Sequence, residues 1–155
     1  MTQTLKDEIK QTRPFRSTRE EAYLNLVRSG ALLQHSFAEM MKPYGITSTQ
    51  YNVLRILRGV GRAGLCRHEI RDRMLTPVPD VTRLLDRLEK AGLVTRERSD
   101  ADRRMVTARI TEEGLATLAA LDGPTARELD RLLGHMDDED LERLSSLLQV
   151  ARVRA

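Results

Sequence analysis

The run Asp80-Val81-Thr82-Arg83-Leu84-Leu85-Asp86-Arg87-Leu88-Glu89-Lys90-Ala91-Gly92 decides how this chain is read. Val81, Leu84, Leu85 and Leu88 recur at three- and four-residue steps, the period of a helix with one apolar face. Asp80 can offer its carboxylate to the positive start of that helix, and Gly92 supplies a stop. The other face presents Asp80, Thr82, Arg83, Asp86, Arg87 and Lys90. Arginine can pair bidentately with guanine and a threonine methyl can touch thymine, so this face has the chemistry to read base edges. The alternative is a solvated face on which Asp86 and Glu89 pair with the arginines of their own helix.

Moving towards the C-terminus, Leu93 to Arg98 and Met105 to Ile110 alternate and are β-branched enough for two strands. The polar turn Ser99-Asp100-Ala101-Asp102-Arg103 joins them as an antiparallel hairpin. At this turn sits Asp102-Arg103-Arg104, from which an arginine can enter a narrow minor groove, oriented by a nearby carboxylate through a charged hydrogen bond; the alternative is a solvated polar turn. Towards the N-terminus, Thr76-Pro77-Val78-Pro79 is a rigid turn. A short helix before it, from about Arg67 to Met74, buries Ile70 and Met74. Short helix, turn, second helix and hairpin is the order of a winged helix-turn-helix. The expected grip on DNA therefore spans Leu65 to Ile110.

The flanks are helical. A polar arm to about Ser17, with an extended Arg13-Pro14-Phe15-Arg16, precedes a long helix from Thr18 that stops near Pro43 and Gly45. Thr47 and Gln50 form a capping box, and Ile46 with Tyr51 is spaced as a hydrophobic staple, so another helix starts there. Gly59, Gly61 and Gly64 break the chain after it. Thr111 starts a helix that Gly123-Pro124 is expected to kink or restart, because proline lacks an amide donor. Asp137 caps a last helix carrying Leu141, Leu144, Leu147 and Leu148. The fold class expected is mainly α with a small β-hairpin wing (α+β). The divisions expected are an N-terminal arm and dimerisation helix over 1–45, a winged helix-turn-helix over 46–110 and C-terminal dimerisation helices over 111–155. A long first helix has little to bury against within so small a monomer, so the terminal helices are expected to pack on a second copy.

Composition narrows the function classes. In 155 residues, 40% are hydrophobic and 32% charged, which suits one globular core and argues against disorder. There is no apolar run of about 18–20 residues for a membrane span and no apolar leader, so a cytoplasmic protein without membrane contact is expected. The single cysteine, Cys66, cannot form an internal disulfide. A net charge of +3 does not by itself point to nucleic acid, and what counts is where the arginines gather. With 3% aromatic residues and no Trp, a stacking platform for single strands is not expected. His35, His68 and His135 are spread along the chain without ligand spacing, so neither a metal nor another cofactor is expected. No nucleophile elbow, phosphate loop or convergent acid–base pair speaks for an enzyme.

The run Val81 to Val94, then Arg96, Asp100, Asp102-Arg103-Arg104 and Ile110-Thr111-Glu112-Glu113-Gly114, closely resembles the MarR family of transcription regulators. The resemblance covers roughly Ala22 to Leu148 in element order and is densest from Leu65 to Gly114. It implies a homodimeric, sequence-specific regulator of double-stranded DNA, a repressor of a pseudo-palindromic operator released by a small aromatic or lipophilic effector. By position it places Pro79, Asp80, Thr82, Arg83 and Arg87 on a major groove and Asp102, Arg103 and Arg104 on the wing. It also implies an effector pocket near Tyr23, His35, Met40 and Tyr51. Ala101 stands where many members carry a wing arginine, and Cys66 where many have a polar residue. A thiol at a helix start can have a lowered pKa, so a thiol-based redox regulator acting through Cys66 is one alternative. A winged-helix module for protein contact is another.

Overall fold

The computed structural model describes residues 3–98 and 105–153, and the chain divides into two compact units, Met1–Glu39 and Met40–Ala155. In the first unit, helix α1 (Leu5–Glu8) is one turn capped by Thr4, whose hydroxyl accepts the Asp7 amide at 3.3 Å. This turn corrects the expectation of an arm without regular structure. Its Leu5 is buried, and four residues are too few to show a helical period. The arm expected from Arg13 to Arg16 is irregular, and Thr18 then opens helix α2 (Thr18–Met41). Along its length Tyr23, Leu26, Val27, Leu32 and Leu33 are exposed.

The second unit begins at the end of that helix. A 3-10 turn over Lys42–Tyr44 follows, closed by Gly45 in the left-handed region at φ 69°. Helix α3 (Ser48–Val60) starts on the expected capping box: Gln50 donates its amide to Thr47 Oγ1 at 3.1 Å, and Thr47 donates its own to Gln50 Oε1 at 2.9 Å. Ile46 and Tyr51, spaced as the staple, are both buried. After a 3-10 turn at Gly61–Ala63, strand β1 (Leu65–Cys66) leads directly into helix α4 (Arg67–Arg73). Helix α5 (Val81–Lys90), strands β2 (Val94–Arg98) and β3 (Val106–Ile110), helix α6 (Glu112–Leu133) and helix α7 (Asp138–Arg152) complete the unit.

The sheet has the order β1-β3-β2, antiparallel throughout. Val94 pairs with Ile110 and Arg98 with Val106, the expected hairpin. Strand β1 was not foreseen. Leu65 and Cys66 pair with Ala108 and Thr107 on the far edge of β3, filling backbone groups that a two-stranded hairpin would leave open. Gly64 makes this approach possible. Its φ is +66°, and a side-chain carbon there would stand 2.5 Å from the Ala108 carbonyl oxygen.

The core joins Val53, Leu54 and Leu57 of α3, Ile70 of α4, Leu84, Leu85 and Leu88 of α5, Val94 and Ala108 of the sheet, and Leu118 and Leu121 of α6. Each such leucine contributes about 2 kcal/mol through the apolar area it removes from water. A second correction concerns α6, which runs as one helix through Gly123-Pro124 without restarting. Two ties flank the proline. Arg58 reaches Asp122 at 3.2 Å, and the Tyr51 hydroxyl meets that of Thr125 at 3.3 Å. Together with the buried Leu118 and Leu121, these contacts offset the roughly 3 kcal/mol that an interior proline costs a helix.

Candidate nucleic-acid interface

Helix α5 is held by its apolar face and open on the other. Val81, Leu84, Leu85 and Leu88 are buried, while Thr82, Arg83, Asp86, Arg87 and Lys90 are exposed. Its start is set by Asp80, whose carboxylate accepts the Arg83 amide at 2.9 Å. That amide would otherwise be one of the unsatisfied donors at a helix N-terminus. Pro79, just ahead of the cap, is exposed.

The competing expectation, that Asp86 and Glu89 pair with the arginines of their own helix, is not what the structure contains. Both carboxylates turn to Arg96 on β2, whose Nη2 lies 2.6 Å from Asp86 Oδ1 and 2.6 Å from Glu89 Oε2. The Arg96 Nε–H and backbone N–H add bonds to Glu89 at 3.0 and 3.2 Å. The guanidinium holds the Glu89 carboxyl below its ordinary value of 4.5, and the same pairing raises the pKa of Arg96. Among the described residues, Arg83 and Arg87 then have no carboxylate within salt-bridge distance. Four residues apart on one helix, they project from adjacent turns of the exposed face. Sequence reasoning missed this role of Arg96. The available signal was Asp86 and Glu89 themselves, two acids three residues apart and so on one side of the helix.

Cys66 stands at the start of α4 and is half-buried. Its backbone N–H donates to Glu69 Oε2 at 2.8 Å, which lowers the Glu69 pKa. A cavity of about 320 Å³ opens between the start of α4, α5 and the wing strands. Cys66, Arg67, His68, Thr82, Leu85 and Arg96 line it. The residues expected at an effector pocket are elsewhere. In the second unit Tyr51 is buried in α3, with Arg55 over its ring at 5.8 Å, and Met40 is half-buried. In the first unit Tyr23 and His35 are exposed on α2. Asp102, Arg103 and Arg104, the expected wing contacts, lie outside the described residues.

Helix α4, the turn after it, α5 and a hairpin on a three-stranded sheet define a winged helix-turn-helix domain. The model of the MarR family matches residues 44–105. The HTH-type transcriptional regulator MhqR of Bacillus subtilis is 30% identical over 106 residues, covering 68% of this chain and 72% of that protein. A MarR transcription factor from Planctomyces limnophilus superposes with a TM-score of 0.69 at 36% identity, over 88% of this chain and 99% of its own. The regulator Sco3205 of Streptomyces coelicolor, solved in complex with DNA, superposes with a TM-score of 0.79 at 20% identity. That likeness covers 88% of this chain and 91% of the other and is one of fold. The chain belongs to the MarR family and is a transcriptional regulator rather than an enzyme. No described helix is long and apolar enough to cross a membrane.

Proposed function

We propose that this chain acts as a homodimeric repressor on pseudo-palindromic double-stranded DNA. In this reading α5 lies in the major groove of each half-site. Arg83 and Arg87 read guanine or grip phosphate, Thr82 touches a base edge, and Pro79 and Asp80 set the helix start against the backbone. The observation that carries the reading is the exposed Arg83 and Arg87 pair, free of carboxylates among the described residues because Asp86 and Glu89 are taken up by Arg96. Asp102, Arg103 and Arg104 extend the contact to the minor groove by their place between the wing strands. Sco3205, a chain of this fold solved in complex with DNA, supports DNA as the partner.

Dimerisation falls to the terminal regions, 1–45 and 111–155. Leu144, Leu147, Val150 and Val153 leave an apolar face open on and beyond α7, and α2 carries its own exposed apolar residues. Two copies then present their α5 helices about 34–36 Å apart, one turn of DNA. Release by a small aromatic or lipophilic molecule completes the proposal. The test is to enrich bound duplexes from a random pool, then measure the winner against salt and against a panel of aromatic acids. Two half-sites about one turn apart are expected, with Arg83→Ala relaxing base preference and Arg87→Ala lowering the salt slope by about 1 if that arginine meets a phosphate. Binding without preference, unchanged in both variants, overturns the assignment. Retention of the duplex in the presence of every acid removes the effector from it.

A further inference from the structure

We propose that Arg96 is a positioning residue: from the wing it fixes the rotation of α5 and thereby sets which base edges Arg83 and Arg87 meet. The inference rests on the DNA-binding reading above and adds to it a residue that touches no DNA.

The apolar face of α5 is pressed on the core through Val81, Leu84, Leu85 and Leu88, a contact that resists lifting of the helix. The apolar stripe fixes which face turns inward, but hydrophobic contact is non-directional and sets the fine rotation and the position along the axis less sharply than directional bonds do. Directional bonds are what specify such motions, and on the outer side of α5 they come from β2. Arg96 Nη2 bridges Asp86 and Glu89 at 2.6 Å each, while Nε and the backbone N–H both hold Glu89. Because Glu89 accepts from the main chain of β2 as well as from a side chain, the helix is registered against the strand itself. The planar guanidinium has a fixed fork of donors, which a lysine ammonium lacks. The Arg96 side chain is 22% exposed, more enclosed than Asp86 at 53% or Glu89 at 39%. The clamp also occupies two acids that would otherwise lie open to pairing with Arg83 and Arg87 or to repelling phosphate.

The test compares the duplex that the wild-type chain enriches most strongly with a scrambled duplex of the same length. Arg96→Gln and Glu89→Gln are each expected to lower the ratio of the two affinities about tenfold, and the double variant no further than the worse single one. Arg96→Lys, which keeps the charge and loses the fork, is expected to lose most of the discrimination as well. Hydrogen exchange of the amides of residues 81–91 is expected to quicken in the same variants without DNA. If Glu89→Gln discriminates like wild type while Arg96→Gln does not, Arg96 acts on DNA itself and the proposal falls. It also falls if Arg96→Gln weakens both duplexes equally, since Arg96 then serves as charge alone. Should Arg96→Gln fail to fold, Glu89→Gln decides the matter, because it leaves Arg96 paired to Asp86. A wild-type chain that binds both duplexes alike overturns the DNA-binding reading itself. Discrimination by wild type that survives in every variant overturns only the clamp.

Discussion

The Tyr51 hydroxyl lies 3.3 Å from the hydroxyl of Thr125, a residue 74 positions further along the chain. The pair joins α3 to the half of α6 that follows Pro124. Tyr51→Phe is expected to cost about 0.5–1.5 kcal/mol in urea unfolding, the net worth of one such bond. Combining it with Thr125→Val is expected to cost little more than the worse single change, because both remove one interaction. Additive losses would show that the two hydroxyls act independently.

Asp80 sits at the start of α5, and its carboxylate is engaged by the Arg83 amide at 2.9 Å. Asp80→Ala is expected to lower stability by about 1 kcal/mol through the lost cap, and Asp80→Asn to restore most of it. Thermal unfolding of the two variants gives the comparison. Equal stability of the alanine and wild-type chains would mean that the cap contributes nothing.

Gly64 has both a left-handed backbone and no room for a side chain beside the Ala108 carbonyl. Gly64→Ala is therefore expected to destabilise by about 1–3 kcal/mol, with faster hydrogen exchange at Leu65, Cys66 and their β3 partners. Unchanged exchange at these amides would separate β1 from this glycine.

Glu89 gives the stability a definite pH dependence. Its folded carboxyl titrates below 4.5 because Arg96 bonds to it, so between the two values the unfolded chain binds more protons at this position. The stabilisation is present above about pH 4.5 and is lost as pH falls through the lowered value. The stability difference between wild type and Glu89→Gln is expected to hold from neutral pH to near pH 4.5 and to shrink below it. A difference that grows on acidification would contradict the pairing.

Leu147 is 60% and Val150 70% exposed on α7, an unfavourable placement for a lone chain. Sedimentation is expected to show a dimer for the wild type and a folded monomer for Leu147→Asp combined with Val150→Asp. A monomeric wild type would remove the role assigned to these residues.

Where local chemistry decides, the sequence is legible. The caps at Thr47 and Asp80 need only residues three apart, and the apolar face of α5 follows from a period that continues for ten residues. Elements made by distant partners are not. Strand β1 is two residues with no alternation to read, and it exists because the edge of β3 is there to receive it. Pro124 looks like a break until Asp122 and Thr125 are seen tied to α3. Arg96 stands in the family-like run, but its partners on α5 become visible only when helix and wing are brought together. The candidate site divides in the same way: the exposed arginines follow from helical phase, and their freedom from Asp86 and Glu89 from a contact between elements.

The unbroken course of α6 has a mechanical consequence. Twenty-two residues at about 1.5 Å each make a rod of roughly 33 Å, leading from the last wing strand to the turn before α7. In the dimer proposed above, a joint at Pro124 would let each α5 helix swing to meet half-sites at several separations. A helix that does not restart there would act more as a ruler. One inserted base pair moves a half-site by about 3.4 Å and turns it about 34–36° around the duplex, an error that a continuous α6 would resist. For such a dimer, the span between half-sites becomes part of the message that is read.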